Sequence, residues 1–216
     1  MSRKPPSVAS IATQGDGARM VAPAAERNTA VLCDLLEQVA PHQGRALELA
    51  SGTGQHVRAF AERLPGLNWQ PTEVDAQRRA SIDAYCEDLD NVAPVQELNA
   101  TRPGWGADWA GQDLVVLINL LHLISTPEAA TLIAEAAAAL APGGRLVIYG
   151  PFMRAGELTS EGDARFHTAL IAEDPEIGYK DDFDTMDLMQ GAGLEMAEVV
   201  EMPANNLALI AEKPRI

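Results

Sequence analysis

The chain has 216 residues, of which 47% are apolar and 22% are charged, and its formal net charge at pH 7 is −15. The length and composition are ordinary for one globular domain with a substantial hydrophobic core. The acidic excess argues against a nucleic acid or an anionic membrane as partner, because no basic field is available to neutralise phosphates.

The two cysteines, Cys33 and Cys86, form neither a disulfide framework nor a metal-ligand spacing, and the four histidines are too scattered for a zinc site. No apolar run is long enough to span a bilayer, and the start of the chain lacks the apolar core of a signal peptide. These features favour a cytoplasmic protein without a bound metal.

The first 22 residues are rich in Pro, Ser, Gly and small side chains and lack periodicity. We expect residues 1–22 to form a mobile tail, or alternatively a lid that becomes ordered on binding. Pro23 is placed as the start of a helix that ends before Pro41. Residues 23–216 are then expected to form one domain.

A strand, a tight turn and a helix follow. Ala46–Ala50 is a short apolar run typical of a buried strand, and Gln55–Leu64 has helical apolar spacing. Between them lie Gly52 and Gly54, which permit a sharp bend and close approach of a ligand to the helix N-terminus. A dinucleotide fingerprint would need a small residue three positions after Gly54, and that residue is Val57.

The next unit repeats the pattern of strand and helix. Leu67–Thr72 is a predicted strand, and Ala76–Cys86 is a predicted helix with Asp75 as its N-cap. Glu73 stands at the end of the strand, about twenty residues after the glycine turn, where an acid can accept hydrogen bonds from a ribose diol. The alternative is that Glu73 is a solvated loop acid.

A third strand is predicted at Pro94–Leu98, and a central strand, buried on both faces, at Asp113–Ile118. The intervening loop, residues 101–111, contains Trp105 and Trp109. One of these indoles can cover an aromatic ligand, or both can close the edge of the sheet.

Polar residues follow the central strand, where ligands bind in open α/β sheets. Asn119 and His122 are therefore candidates for catalysis, and Leu120 is a candidate for the pocket wall. Histidine is the usual base near neutral pH, so His122 is the first candidate and His56 and His167 are the next. Each histidine can instead be a packed, hydrogen-bonded residue.

The remaining elements complete an alternating α/β pattern. Pro127–Leu140 is a predicted helix and Arg145–Tyr149 a predicted strand. Residues 153–182 are irregular, and we expect them to cover the substrate. Leu194–Met202 and Asn206–Glu212 are expected to pair as a β-hairpin.

Taken together, these motifs resemble the class I methyltransferases, which use S-adenosylmethionine (SAM). Glu48–Gly54 is similar to their first motif, an acidic strand running into G-x-G. The order of a helix, Pro142-Gly143-Gly144 and a strand is typical of the same class. The resemblance implies a three-layer α/β/α fold with a seven-stranded, mostly parallel sheet and an antiparallel C-terminal hairpin.

The resemblance also implies SAM as cofactor and no metal. Glu48 would sit by the methionine end, the glycines under the cofactor, Glu73 at the ribose, and Asn99 at the adenine edge, where an amide can both donate and accept. The implied cofactor-binding set is Arg27, Asn28, Glu48, Ala50, Ser51, Gly52, Gly54, His56, Glu73, Asn99, Ala100, Asn119 and Leu120.

A closer resemblance is to the methyltransferase-like protein 26 group, a domain of unknown function. It rests on Pro23–Asn28, Trp69–Pro71, Tyr149–Phe152 and Met202–Asn206. In this setting Arg27 and Asn28 can reach the SAM carboxylate or a substrate anion. The alternative for Arg27 is a surface ion pair.

Three functions are compatible with these residues. The favoured one is a SAM-dependent methyltransferase acting on a small molecule. A SAM-binding regulatory or partner module without turnover is the second, and a nicotinamide-dependent oxidoreductase the third. Val57 and the terminal hairpin argue against the third. The sequence specifies neither the methyl acceptor nor the oligomeric state.

Overall fold

The computed structural model describes residues 6, 7, 9 and 11–215. Within these residues the helices are α1 Pro23–Val39, α2 Gln55–Arg63, α3 Ala76–Cys86, α4 Trp105–Asp108, α5 Thr126–Ala139, α6 Glu161–Glu173 and α7 Asp182–Gly191. The strands are β1 Thr13–Gln14, β2 Met20–Val21, β3 Gly44–Leu49, β4 Leu67–Pro71, β5 Gln112–Ile118, β6 Leu140–Met153, β7 Lys180–Asp181, β8 Glu195–Met202 and β9 Asn206–Glu212. No helix of this part of the chain is long and apolar enough to cross a membrane.

Seven strands form one mixed sheet in the order β4-β3-β5-β6-β9-β8, with β7 paired to β6. The pairs β3–β4, β3–β5, β5–β6 and β6–β7 are parallel. The final hairpin pairs β9 antiparallel to both β6 and β8. The predicted fold, a mostly parallel seven-stranded sheet closed by an antiparallel hairpin, is confirmed.

The predicted third strand at Pro94–Leu98 is wrong, because this segment makes only isolated bridges to β4. Val92 is bridged to Trp69, and Gln96 to Thr72. Pro94 has no N–H to donate to the ladder. The N–H of the next residue, Val95, donates instead to Asp83 Oδ1, at 3.0 Å. The segment therefore lies along the outer edge of β4 without becoming a strand.

The sheet is covered by helices on both faces, since successive strand side chains point to opposite sides. One face packs on α4, α5 and α7, through residues such as Leu47, Ile148 and Leu132. The other face packs on α1, α2 and α3, and here Tyr149 and Phe60 are buried. α1 belongs to the second layer, and residues of its N-terminal half line the cavity that is described below.

The N-terminal segment crosses the same end of the sheet. β1 and β2 form a small antiparallel hairpin. The N–H of Met20 donates to Ser81 Oγ at 2.8 Å, and that of Ala22 donates to Gln55 Oε1 at 2.7 Å. Mobility of residues 1–22 stays a prediction, and residues 1–5, 8 and 10 lie outside the described part of the chain.

Candidate functional site

A cavity of about 950 Å³ opens at the carboxyl ends of the parallel strands. This is the size range of small-molecule and cofactor sites. Every candidate cofactor-binding residue except Gly54 lines the cavity, as does His122. The candidates that it brings together are Arg27, Asn28, Glu48, Ala50, Ser51, Gly52, His56, Glu73, Asn99, Ala100, Asn119, Leu120 and His122.

Gly54 has a different role from the one expected, and its assignment as a ligand contact needs correction. It is the N-cap of α2, with φ of 92°. A Cβ at this position would lie 2.7 Å from the Cα of Ile82. Gly54 therefore permits α2 to start in a left-handed conformation and to pack tightly on α3, and it does not line the cavity.

The Glu73 carboxylate is tied to the glycine turn. Its Oε2 accepts the N–H of Gly52 at 3.0 Å. Its Oε1 accepts the N–H groups of Val74 and Asp75 at 2.8 and 3.1 Å. Three backbone donors hold the side chain in one orientation, and its two oxygens retain further acceptor capacity for a ligand.

Glu48, at the end of β3, is only 1% exposed, and its Oε2 has no hydrogen-bond partner among the described residues. Burial raises the pKa of this carboxyl to about 8; the Glu73 charge adds to this effect, and a hydrogen bond from Ser51 opposes it. A cationic ligand group at Oε2 would reverse the shift, because an opposite charge favours the ionised form.

A hydrogen-bonded row of side chains lies under α1. The Asn28 Oδ1 atom is 2.7 Å from His56 Nε2. Burial lowers the pKa of His56 to about 4, so this ring is neutral at pH 7. Because Oδ1 can only accept, Nε2 carries the ring proton and donates it to Asn28. Asn28 in turn hydrogen-bonds the Tyr149 side chain.

The end of β5 carries the candidate catalytic residues. Asn119 adopts φ of 55°, and its N–H donates to the Tyr149 carbonyl at 2.8 Å. His122 is buried, and burial together with the Lys180 charge lowers its pKa to about 3. A base with so low a pKa holds a transferred proton poorly at neutral pH. Its ring contacts those of Phe166 and Tyr179, at 5.8 and 6.3 Å between centroids.

Asn99, the candidate for adenine binding, already uses its side-chain oxygen in hydrogen bonds within the protein. Its Oδ1 accepts from the Thr101 N–H at 3.1 Å and from Thr101 Oγ1 at 2.8 Å. Only its amide N–H groups are then left for a ligand. Neither Trp105 nor Trp109 lines the cavity; both pack in the core beside α5, and the Trp105 indole donates to the Ala100 carbonyl. The interpretation that an indole covers the ligand is wrong.

Several lining residues were not identified from the sequence, among them Tyr149, Phe166 and Tyr179. Tyr149 stands near the carboxyl end of a parallel strand, and that position alone would have marked it. Phe166 lies on α6 and Tyr179 directly before β7, and no local pattern in this part of the sequence indicates that their side chains turn inward. The Tyr179 hydroxyl donates to Asp163 at 3.0 Å, and Asn205 of the β8–β9 turn donates to the same carboxylate.

The fold is that of the class I methyltransferases. An O-methyltransferase family protein from Burkholderia thailandensis aligns with a TM-score of 0.75 at 20% identity, over 88% of this chain and 57% of that one. Human N-acetylserotonin methyltransferase, solved in complex with SAM, aligns with a TM-score of 0.73 at 14% identity, over 88% of this chain and 53% of that one. A family 2 O-methyltransferase from Planctomyces limnophilus, solved with apigenin, aligns with a TM-score of 0.69 at 19% identity, over 88% of this chain and 61% of that one.

The chain itself belongs to the family described as "Protein of unknown function (DUF938)", whose model matches residues 19–213. It spans 53–61% of the length of the three solved structures.

Proposed function

We propose that this protein is a SAM-dependent methyltransferase that acts on a small molecule. The observation that carries the proposal is the hydrogen bond between Gly52 N–H and Glu73 Oε2, at 3.0 Å. It holds an acidic side chain directly beside a glycine turn, at the carboxyl ends of parallel strands. This arrangement suits an adenosine ligand, with the turn beneath the ligand and the acid accepting from the ribose hydroxyls.

The residues around the turn fit the other parts of SAM. Asn99 and Ala100 would contact the adenine, with the Asn99 amide N–H as donor. Glu48 would pair with the ammonium of the amino-acid end, which would give its Oε2 the partner that none of the described residues supplies. Gly52 is the glycine that would lie beneath the cofactor; its φ is 60°, and only the tip of the Arg78 side chain lies near its missing Cβ.

Residues 153–182 would cover the acceptor, as part of a single domain that begins at residue 23. Phe166 and Tyr179 bring two rings from this segment against His122 at the cavity wall. An aromatic, enclosed wall suits a small molecule better than a polymer. The net charge of −15 also disfavours a nucleic acid, and the cysteine usage favours the cytoplasm.

When bound, SAM supplies the electrophilic methyl group. The protein then has to orient the acceptor in line and exclude water. Asn119 and His122 are the residues at the end of β5 that would contact the acceptor. Because the pKa of His122 is about 3, we expect this ring to accept a hydrogen bond and to orient the acceptor, without taking up its proton.

The closer kinship, to the methyltransferase-like protein 26 group, is also a proposal, and it is supported by the motifs at Pro23–Asn28 and Tyr149–Phe152. Both segments contribute to the cavity, since Arg27, Asn28, Tyr149 and Pro151 line it.

Calorimetric titration tests the cofactor assignment. We expect wild-type protein to bind SAM and S-adenosylhomocysteine, and Glu73→Gln to bind both more weakly by roughly 1–3 kcal/mol, since one strong acceptor is lost. Glu198→Gln is the matched control, because Glu198 is an exposed side chain on β8. NAD is the competing ligand. Binding of NAD with no binding of SAM would overturn the proposal in favour of an oxidoreductase.

Turnover separates an enzyme from a silent SAM-binding module. The protein is incubated with SAM and a small-molecule cell extract, and S-adenosylhomocysteine is quantified. Formation that depends on the extract and falls in Asn119→Ala supports the enzyme. SAM binding without any product would favour the module.

A further inference from the structure

Tyr149 is a buried hydroxyl donor at the cavity wall, and its proton has no acceptor among the described residues. Its side chain is only 3% exposed, and it lines the cavity. Asn28 is the hydrogen-bond partner of its hydroxyl among the described residues. Buried tyrosine hydroxyls normally donate as well as accept. The proton of Tyr149 is therefore available to a ligand.

The row under α1 determines which way this proton points. Asn28 Oδ1 accepts from His56 Nε2, so the amide presents its N–H side to Tyr149. Donation by Asn28 to the phenolic oxygen favours the phenolate and lowers the pKa of Tyr149, although burial raises it by more. At neutral pH the tyrosine is thus a neutral donor, with its oxygen engaged by Asn28 and its hydrogen turned away from Asn28.

Glu48, the group that complements Tyr149, lies on the same face of the sheet. Glu48 pairs in register with Val116, and Tyr149 pairs with Ile118, two residues further along the same strand. Within the part of the chain that the structure describes, Glu48 Oε2 is an acceptor without a donor, and the Tyr149 hydroxyl is a donor without an acceptor. Arg27, which also lines the cavity, adds a cation that has no ion pair among the described residues.

An acceptor for an ammonium, together with a donor and a cation for a carboxylate, is the complement of an amino-acid zwitterion. SAM ends in such a group. We propose that Tyr149 donates a hydrogen bond to the carboxylate of the amino-acid end of SAM, and that Asn28 and His56 are positioning residues that orient its hydroxyl. This inference rests on the proposed function, and it replaces the direct contact expected for Asn28 by one through Tyr149.

Tyr149→Phe tests the contact, because it removes only the hydroxyl. The probes are SAM, S-adenosylhomocysteine and 5′-methylthioadenosine, which keeps the adenosine but lacks the amino-acid end. In Tyr149→Phe the Kd of the first two should rise roughly 10- to 100-fold, as for the loss of a hydrogen bond to a charged group. The Kd of 5′-methylthioadenosine should stay at its wild-type value. Tyr85→Phe, on α3 and outside the cavity lining, is the matched control.

Asn28→Asp tests the positioning role. A carboxylate at this position would accept the Tyr149 proton and withdraw it from the ligand, so SAM should again lose affinity while 5′-methylthioadenosine does not. Combining Asn28→Asp with Tyr149→Phe should cost little more than Tyr149→Phe alone, since both changes remove the same contact.

Three results would count against the inference, and each is distinguishable. Wild-type affinity of Tyr149→Phe for SAM, or an equal loss for 5′-methylthioadenosine, overturns the role of Tyr149 and leaves the SAM site intact. Failure of the wild type to bind either SAM or 5′-methylthioadenosine overturns the proposed function, and this inference with it.

Discussion

Glu48, near the end of β3, and Glu73, just after β4, line one cavity, yet their carboxyl groups have opposite surroundings. Glu73 accepts three backbone N–H groups, whereas Glu48 Oε2 accepts no hydrogen bond from any residue that the structure describes. The charge of Glu73 also contributes to the raised pKa of Glu48. Glu73 is therefore fixed by backbone hydrogen bonds, whereas Glu48 is mostly protonated at pH 7 in the free protein. This difference leads to predictions about proton release on ligand binding and about the pH dependence of stability.

The first prediction concerns protons released on cofactor binding. With a pKa of about 8, Glu48 is mostly protonated at pH 7 in the free protein. The ammonium of SAM would lower that pKa, so binding should release a substantial fraction of a proton. Calorimetry in buffers of different ionisation enthalpy measures this number. Glu48→Gln should release none, and an equal release by wild type and variant would disprove the assignment.

The second prediction concerns the stability of the free protein. The pKa of Glu48 is raised from 4.5 to about 8 in the folded state, so the folded state binds more protons than the unfolded state between these values. Stability should then fall as pH rises from 5 to 8, by roughly 2–4 kcal/mol from this group. In urea unfolding, the stability of the wild type should fall by this amount relative to that of Glu48→Gln over this pH range, while the control Glu198→Gln should follow the wild type. A parallel decline in Glu48→Gln would count against a buried, protonated Glu48.

The third prediction concerns the stability of the folded protein at acidic pH. Burial lowers the pKa of His122 to about 3, so the unfolded state binds more protons below pH 6.5. The stability due to the neutral ring is complete above pH 6.5 and is lost as pH falls. Between pH 7 and pH 5 the wild type should lose about 1–2 kcal/mol through His122. His122→Gln should show a shallower decline by that amount, measured by urea unfolding at both pH values. Equal losses of stability in the wild type and in His122→Gln would contradict a buried, neutral His122 ring.

The fourth prediction compares Gly54, where an added methyl group would clash with α3, with Gly191, where it would meet open space. Gly54→Ala places a methyl group 2.7 Å from the Ile82 Cα, at φ of 92°. We expect a loss of roughly 2–4 kcal/mol in the free energy of unfolding. Gly191→Ala is the control, because nothing lies within 4 Å of its added Cβ and its φ is not positive. Similar stabilities for the two variants would show that α2 and α3 separate easily at Gly54.

Local sequence signals predicted most of the fold. The helix Ala76–Cys86 has its predicted bounds, and its N-cap Asp75 accepts the N–H of Arg78 at 2.9 Å. The terminal hairpin likewise follows from two apolar runs around a Pro-Ala-Asn turn. Such elements are encoded by residues close together in the chain, so a pattern of capping, spacing and turn residues is enough.

The errors and omissions depend on contacts between distant segments. Asn28 and Tyr149 meet only because α1 packs above β6, and nothing near either residue in the chain indicates it. The edge segment at Pro94 fails to become a strand partly because Asp83, on α3, takes a backbone N–H. Trp105 is drawn into the core by α5, although its surroundings in the sequence are those of a loop. Tertiary packing decides these cases, and local propensity does not.

The central claim is most directly tested by a crystal structure of the protein with S-adenosylhomocysteine. The account predicts a ribose hydroxyl within about 2.6–3.0 Å of a Glu73 oxygen, and the ligand's ammonium at a similar distance from Glu48 Oε2. A ligand bound elsewhere, or a cavity that excludes S-adenosylhomocysteine at millimolar concentration, would contradict it.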